Sequence, residues 1–267
     1  MEVQLTFLGS GTSQGVPVIA CPCAVCQSSD PRDKRLRSSV LIEVKGRTVV
    51  IDTGPDFRQQ MLREEVQKVD ALVYTHEHKD HVAGMDDIRA FNFRQKRDMP
   101  VYATRAVQAA LEREFHYVFA QNKYPGVPAV VLHEISEEPF EIDGVTWWPL
   151  PVKHRAMPVL GFRVGGVAYI TDANAIDPLT WSRLEGVDIL VLNALRRADH
   201  VSHFTLDQAL AIARKVGARE TYLTHISHQM GLHADVALEL PPGVFLAQDR
   251  LRVKSNLNMT KSFEPDY

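Results

Sequence analysis

Long apolar runs are absent from this sequence of 267 residues. No stretch approaches the roughly 18 apolar residues of a membrane span, and the first residues lack the basic and apolar regions of a signal peptide. Cysteine is scarce, and an odd count of three argues against a closed framework of disulfide bonds. We therefore expect a protein of the reducing cytoplasm, where thiols stay free for other chemistry.

A surplus of positive charge is also lacking. The chain has 30 Lys and Arg residues against 33 Asp and Glu residues, a formal net charge of −3. No global basic field attracts a nucleic-acid backbone, so we do not expect nucleic acid as a partner. Local basic clusters occur at residues 89–97 and 196–197. They either attract an anionic substrate or form a solvated face, which is the commoner role of charge runs.

Internal repeats, low-complexity segments and domain linkers are missing too. With 45% hydrophobic residues, the chain has enough apolar side chains for a sizeable core. We predict a single domain over residues 1–253 and a loose polar tail over residues 254–267.

What the sequence does contain is an alternation of strand-like and helix-like segments. Two groups of strands with helices between them predict an α/β (α+β) protein, in which two facing sheets are flanked by helices. A site is then expected in loops along one edge of the sandwich. The predicted strands are near residues 3–8, 39–44, 47–52, 71–75, 100–103, 129–133, 145–150, 160–165, 167–171, 188–193, 221–224 and 244–247. The predicted helices are near residues 56–66, 105–119, 178–185, 205–216 and 233–239.

One short segment dominates the interpretation. The pattern His76-x-His78-x-Asp80-His81 comes directly after the apolar run 70–75. Neutral imidazoles and carboxylates are the ligands that zinc, manganese and iron prefer. Side chains packed so densely are costly to desolvate without a cation. A solvated His-rich loop is the alternative, but the composition of such tracts favours metal binding.

Further candidate ligands follow strand-like runs later in the chain: His154, Asp172 and His225. Each alone has an ordinary explanation, because a lone His after a strand is usually a surface or hydrogen-bonded core residue, and a lone Asp there usually forms a turn. Together with the dense segment they make seven ligands. That number suffices for two ions about 3.5–4 Å apart that share a hydroxide.

A second cluster contains every cysteine of the chain, Cys21, Cys23 and Cys26. Three thiols within six positions form a soft-metal chelate that lacks one ligand. His228, three residues beyond His225, is the best candidate for the fourth. A redox-sensitive thiol cluster is the alternative, because this spacing is a looser signal than paired Cys-x-x-Cys motifs.

The dense segment and the three later ligands, in this order, resemble the metal motifs of the metallo-β-lactamase fold hydrolases. The resemblance covers about residues 1–253 and implies a four-layer αββα sandwich. It also matches Asp52 to an aspartate that orients ligands rather than binding metal. The division of ligands that it implies places His76, His78 and His154 on one ion, Asp80, His81 and His225 on the other, and Asp172 between them.

Other segments resemble one enzyme family of this group, the phosphoribosyl 1,2-cyclic phosphate phosphodiesterases of bacterial carbon–phosphorus lyase pathways. These segments are residues 9–17, the cysteine cluster and residues 224–228. The resemblance implies a structural zinc held by the three cysteines and His228. Residues 82–92 depart from the pattern of that family, so the substrate stays open.

The same resemblance matches His203 to a histidine general acid that lies just before a helix. Thr205 and Gln208 form a capping-box pattern that would fix the start of this helix directly behind His203. His200 lies three residues earlier and competes for the acid role.

The function that the resemblance implies is a metal-dependent phosphodiesterase. Two divalent ions, Zn or Mn, are expected to ionise a water that attacks a small, cyclic phosphodiester such as phosphoribosyl 1,2-cyclic phosphate. His203 then protonates the leaving oxygen, and Asp80 counts as catalytic as well as ligating. The partner is accordingly a small molecule, and the related enzymes are compatible with a homodimer.

Three alternatives use the same residues differently. A nuclease that processes the 3′ ends of tRNA has the same metal segment, but no long basic arm rich in Gly and Pro is found here. A thioester or lactam hydrolase fits the metal segment but leaves the separate acid at His203 unexplained. A non-catalytic metal-binding scaffold would be expected to have lost ligands, whereas this set is complete.

Overall fold

The computed structural model describes residues 1–256 of the chain. Its strands are β1 (Val3–Gly9), β2 (Ser39–Val44), β3 (Arg47–Ile51), β4 (Ala71–Val73), β5 (Met99–Ala103), β6 (Val130–Glu134), β7 (Phe140–Ile142), β8 (Val145–His154), β9 (Met157–Val164), β10 (Val167–Ile170), β11 (Ala175–Ile176), β12 (Ile189–Asn193), β13 (Glu220–Thr224), β14 (Val244–Leu246) and β15 (Arg252–Ser255).

Short helices connect these strands. They are α1 (Ala24–Gln27), α2 (Phe57–Arg63), α3 (Lys79–Val82), α4 (Arg89–Gln95), α5 (Arg105–Glu114), α6 (His116–Phe119), α7 (Pro178–Arg183), α8 (Leu206–Val216) and α9 (His233–Glu239). Single 3₁₀ turns lie at Pro31–Asp33, Met85–Ile88 and His228–Met230.

The strands form two mixed sheets. The first has the order β15-β1-β2-β3-β4-β5-β6, and the second has the order β11-β8-β9-β10-β12-β13-β14 with β7 paired to β8. Neighbours from β3 to β6 run parallel, as do β10, β12, β13 and β14. Loops that leave the carboxyl ends of parallel strands emerge at one edge of a sheet, which is where ligands bind in such sheets.

Apolar side chains from both sheets meet in the central core. Phe7 of β1 and Trp147 of β8 have no exposed surface, and Phe162 of β9 is 1% exposed. Each such aromatic ring removes about 150–250 Å² from water. Two further cores lie on the outer faces of the sheets, where Leu111 of α5 and Ala209 of α8 are buried. The predicted four-layer αββα sandwich is therefore confirmed.

Several predicted boundaries were wrong. The helix predicted over 105–119 is broken at Phe115, whose φ of −115° and ψ of 42° are not helical, so α5 and α6 are separate. Strand β8 runs on to residue 154, beyond the predicted end at 150. The tail predicted from residue 254 begins too early, because Lys254 and Ser255 pair with β1. The rest of that tail, residues 257–267, lies outside the described residues.

Candidate metal centre

The ends of four strands deliver the predicted ligands to one edge of the sandwich. The segment that begins at His76 follows β4, Asp172 follows β10, and His225 follows β13. His154 ends β8, and its pairing with Met157 makes the connection to β9 a two-residue hairpin loop. Both sheets therefore contribute to the same cluster.

Backbone strain marks these strand ends. Asp52, Asp172 and His225 have φ values of 65°, 53° and 55°, which lie in the left-handed region. Residues with a Cβ atom rarely adopt this region, at a cost of roughly 1–3 kcal/mol each. Such strain gathers at functional sites, where it aims a side chain that a regular strand would point elsewhere.

Close backbone packing fixes the metal segment against the loop after β3. A Cβ atom at Gly54 would lie 2.2 Å from the carbonyl oxygen of Asp80, and one at Gly84 would lie 2.1 Å from the carbonyl oxygen of Gly54. The backbone N–H of Thr53 also donates to the carbonyl oxygen of His81 at 2.8 Å. Only glycine fits at positions 54 and 84 without moving this segment.

One group of candidate ligands centres on Asp172. The ligand atoms of Asp80, His81, Asp172 and His225 all lie within 4.8 Å of one another. Oδ2 of Asp172 is 3.2 Å from Nε2 of His81 and 3.2 Å from Nδ1 of His225. Three of these four side chains are buried, and Asp80 is partly exposed.

A second group shares Asp172. The ligand atoms of His154, Asp172 and His203 lie within 4.8 Å of one another, with Nε2 of His203 at 3.8 Å from Oδ1 of Asp172. His203, expected as an acid, thus lies close enough to Asp172 and His154 to act as a ligand as well. The rings of His76, His78 and His154, expected to share one ion, have centroids 4.7, 5.1 and 6.0 Å apart.

Asp52 orients two of the imidazoles from behind. Its Oδ2 accepts hydrogen bonds from Nδ1 of His81 at 2.7 Å and from the hydroxyl of Thr75 at 2.8 Å. That hydroxyl in turn accepts from Nδ1 of His76 at 2.9 Å. Both histidines therefore carry their proton on Nδ1 and turn Nε2 toward the centre. A carboxylate behind a ligating histidine fixes the tautomer of the ring and raises its basicity.

The Nε2 atoms of His76 and His81 are the clearest sign that the cluster fits a cation. Both are buried, and within residues 1–256 neither makes a hydrogen bond of good geometry, although Nε2 of His81 lies 3.2 Å from the carboxylates of Asp80 and Asp172. Unpartnered buried polar atoms are rare, because each costs about 1–3 kcal/mol. Here they face carboxylates and other imidazoles, a donor set that suits zinc, manganese or iron. The residues present therefore fit divalent metal ions, which the fold family also implies.

The electrostatics of the cluster favour a cation. Burial lowers the pKa of His81, but Asp172, Asp80 and Asp52 outweigh it and raise that pKa well above its ordinary value. Burial raises the pKa of Asp172, yet His225 and His81 hold it well below its ordinary value. The cluster thus keeps its carboxylates ionised and attracts a cation, either a proton or a metal ion.

A single carbonyl group holds two other imidazoles. The oxygen of Ser202 accepts from Nδ1 of His154 at 2.9 Å and from Nδ1 of His203 at 3.1 Å. Nε2 is therefore left free on both rings, whose centroids are 4.6 Å apart. His200 stacks on the outer side of His203 at 5.0 Å, and its Nδ1 lies 3.2 Å from the hydroxyl of Ser202.

Burial of His203 has a consequence for its proton. Burial, with a contribution from the imidazole of His225, lowers the pKa of His203 to about 3. The free ring is accordingly neutral at neutral pH. The predicted capping box behind it is confirmed, since the side chains of Thr205 and Gln208 each bond the other's backbone N–H.

The cysteine cluster meets His228, three residues beyond His225. The ligand atoms of Cys21, Cys23, Cys26 and His228 lie within 4.8 Å of one another. Nδ1 of His228 is 3.3 Å from Sγ of Cys21 and 3.3 Å from Sγ of Cys23. The backbone N–H of Cys26 and the ring of His228 lower the pKa of the Cys23 thiol to about 6, which favours the ligating thiolate.

Several side chains of the basic clusters make local ion pairs or hydrogen bonds. Arg89 pairs with Asp86 at 3.0 Å, and Arg97 pairs with Asp70 at 3.1 Å. The guanidinium of Arg196 donates to backbone carbonyls of its own loop. Among residues 1–256, no helix is both long and apolar enough to cross a membrane.

Sequence reasoning missed the residues that hold the ligands in place. The contacts come from the hydroxyl of Thr75, the backbone carbonyl of Ser202 and the side-chain amide of Asn174. These groups have no characteristic spacing in a sequence. Only Thr75 carries a signal, because it directly precedes the metal segment.

Comparison with known proteins gives a consistent picture. Residues 47–226 match the family described as the beta-lactamase superfamily domain. The chain is 40% identical over 264 residues to an octanoyltransferase of Porphyromonas gingivalis, with 97% of this chain and 53% of that protein covered. The chain thus spans about half the length of that relative. It is also 24% identical over 290 residues to a ribonuclease Z of Mycobacterium sp. (strain KMS), a match that covers 94% of this chain and 96% of that protein.

Solved structures extend the likeness to the whole described chain. The crystal structure of a diphosphatase from the PhnP family is 44% identical to this chain and has a TM-score of 0.91. The match covers 97% of this chain and 99% of that one. The Zn²⁺-bound PqqB of Methylobacterium extorquens has a TM-score of 0.72 at 20% identity, covering 94% of this chain and 99% of that one. The second likeness is one of fold alone.

Proposed function

Since the chain belongs to the beta-lactamase superfamily and, within it, to the PhnP family, we propose that this metallo-hydrolase is a phosphodiesterase. Its substrate is a small, cyclic phosphodiester such as phosphoribosyl 1,2-cyclic phosphate. The single observation that carries the proposal is the position of His203, whose Nε2 lies 3.8 Å from Oδ1 of the central Asp172. A proton donor beside a two-ion cluster suits the departure of an alkoxide from phosphorus.

The metal ligands are assigned from one group around Asp172, which contains Asp80, His81 and His225, and from the neighbouring rings of His76, His78 and His154. We assign His76, His78 and His154 to one ion, Asp80, His81 and His225 to the other, and Asp172 to both, with Zn or Mn as the ions. Divalent cations supply Lewis acidity and lower the pKa of water to near neutrality when bound. Asp52 holds His76 and His81 in the ligating tautomer, and the carbonyl of Ser202 does the same for His154.

His203 is assigned as the general acid. The carbonyl of Ser202 accepts from its Nδ1, which leaves Nε2 to face the centre and reach a leaving oxygen. The ring is neutral in the free protein, because burial lowers its pKa to about 3. An anionic phosphodiester beside the ring favours the protonated form, so the proton is taken up when substrate binds. His200 is the less suitable donor, since it lies outside His203, one ring further from Asp172.

The cysteine cluster is assigned a structural zinc, with Cys21, Cys23, Cys26 and His228 as ligands. The lowered pKa of Cys23 and the approach of Nδ1 of His228 to two sulfur atoms support this assignment. The site anchors the loop that carries His225, because His228 lies only three residues further on. The metal thus contributes folding stability rather than chemistry.

A substrate panel tests the proposal. Protein reconstituted with Zn or Mn is assayed on cyclic ribose phosphates, 2′,3′-cyclic nucleotides, linear dinucleotides, nucleoside diphosphate esters and a thioester. A higher kcat/KM for cyclic phosphodiesters than for linear ones supports the proposal. Preference for diphosphate esters would retain the chemistry at phosphorus but replace the substrate class, and activity on the thioester alone would overturn the assignment.

A nuclease that processes tRNA 3′ ends is the second candidate. The observation that favours it is the similarity to a ribonuclease Z over 94% of this chain and 96% of that one. Cleavage of a tRNA precursor with a 3′ extension, at a rate above that of any cyclic phosphodiester, would select this function instead.

A further inference from the structure

Asn174 joins two loops of the centre through one side-chain amide. Its Oδ1 accepts a hydrogen bond from the backbone N–H of Arg155 at 2.8 Å. Its Nδ2 donates to the carbonyl oxygen of Val201 at 3.2 Å. The amide therefore connects the hairpin loop after His154 to the loop that leads to His203.

The segment that carries Asn174 is itself firmly held. The side-chain amide of Asn193 bonds both the N–H and the carbonyl of Ala173, each at 2.9 Å. The backbone N–H of Phe204 also donates to the carbonyl oxygen of Ala173 at 2.9 Å. The backbone N–H of Asn174 donates to the carbonyl oxygen of Lys153 at 2.8 Å. None of these hydrogen bonds involves the side chain of Asn174. A substitution of Asn174 therefore leaves the backbone of residues 173 and 174 in place.

The two residues that Asn174 joins, Arg155 and Val201, lie outside the helices and strands, and Arg196 supports the second loop further back, at Ala198 and Asp199. Arg155 adopts φ = 58° at the first position of a two-residue hairpin loop, where glycine is favoured. The side chain of Val201 is 69% exposed and adds no core packing to its loop. The next residue, Ser202, presents the carbonyl that receives Nδ1 of both His154 and His203. A shift of the Val201 carbonyl therefore moves the group that orients both imidazoles.

We propose that Asn174 is a positioning residue, which sets the place of His203 relative to the metal ligands by clamping the Arg155 turn to the Val201 loop. The inference rests on the proposed function, because it takes His203 as the donor to the leaving oxygen. A displaced donor slows esters with poor leaving groups most, since good leaving groups depart without a proton. A misplacement of about 1 Å in a catalytic group lowers the rate by up to about a hundredfold.

Asn174→Asp tests the clamp with little change of shape. The carboxylate retains an acceptor for Arg155 but has no donor for Val201, whereas Asn174→Ala loses both contacts. The substrates are aryl alkyl phosphodiesters whose phenols range from 4-nitrophenol to phenol, and the readout is the slope of log kcat against leaving-group pKa. Metal content and thermal unfolding are recorded for each variant.

Asn92→Asp is the matched control. Asn92 also joins two segments through its amide, with Nδ2 donating to the carbonyl oxygens of Arg97 and Ala129 at 2.9 and 2.8 Å. It lies in α4, and these hydrogen bonds go to none of the candidate ligands. His203→Ala serves as the reference for complete loss of the donor.

The expected result is a steeper slope for Asn174→Asp, intermediate between wild type and His203→Ala, with metal content unchanged. Esters of phenol should lose on the order of ten- to a hundredfold, and those of 4-nitrophenol less. Asn92→Asp should keep the wild-type slope. A wild-type slope in Asn174→Asp beside a steep one in His203→Ala overturns the inference alone. A wild-type slope in His203→Ala overturns the acid assignment and the inference with it.

Discussion

Asp52 and His81 form a fully buried pair, with Oδ2 of the carboxylate 2.7 Å from Nδ1 of the imidazole. The same oxygen accepts a hydrogen bond from the hydroxyl of Thr75, and that hydroxyl accepts one from Nδ1 of His76. One carboxylate therefore sets the direction of two imidazoles. The strained φ of 65° at Asp52 places it there, at the end of β3.

Asp52→Asn should weaken metal binding without removing a ligand. The amide lacks the charge that makes the two imidazoles more basic, so affinity should fall about 10–100-fold. Competition with a chelator of known affinity measures this change. Asp143→Asn removes a carboxylate from an exposed ion pair with Arg47 and serves as the control. Equal metal affinity in Asp52→Asn and wild type would contradict the role of Asp52.

His203→Ala should lower kcat by about 10²–10⁴-fold while metal content stays the same. His200→Ala should have a smaller effect, because that ring lies further from Asp172 than His203 does. Asp172→Ala should be worse than either, since it removes the carboxylate that both ligand groups share. Metal loss in His203→Ala equal to its activity loss would show that His203 is a ligand, which its position beside His154 and Asp172 permits.

Cys23→Ser should remove about one zinc ion per chain and lower the unfolding temperature before it affects the reaction. The cause is the loss of a thiolate that the Cys26 N–H and His228 stabilise. Elemental analysis and thermal unfolding measure the two effects. Ser29→Ala, an exposed neighbour in the same loop, is the control. Unchanged zinc content in Cys23→Ser would refute the structural site.

His233 should make stability depend on acid pH. Burial and the adjacent Arg35 lower the pKa of His233 to about 4, from an ordinary value of 6.5. The unfolded chain therefore binds a proton at higher pH than the folded one. Stability is fully present above pH 6.5 and falls as the pH drops from there to about 4. The slope from one such group is at most about 1.4 kcal/mol per pH unit.

His233→Gln should flatten that slope, because glutamine has no proton to gain. Denaturant unfolding of wild type and variant at several pH values measures the difference. Equal slopes across the range would show that His233 does not titrate between the two states.

The sequence was sufficient for the parts of the site that depend on side-chain type. The dense segment at residues 76–81 and the strand-ending Asp172 and His225 could be found because each follows an apolar run. The capping box at Thr205 was also predictable, because its pattern lies within four consecutive residues.

Other parts depend on contacts that the sequence does not display. Strand β8 was predicted to end at residue 150, whereas its pairing with β9 continues through Pro151 to His154, although proline usually argues against a strand. Strand β15 was missed because its residues are polar and form the edge of a sheet. The role of Ser202 rests on a backbone carbonyl, which any residue type provides.

Anomalous diffraction from crystals of the metal-loaded protein tests the central claim most directly. The account predicts two peaks on either side of Asp172, one bounded by His76, His78 and His154 and the other by Asp80, His81 and His225. A separate peak is expected among the cysteines and His228. A single peak at the cysteines, with none beside Asp172, would contradict the two-ion centre and the hydrolase mechanism built on it.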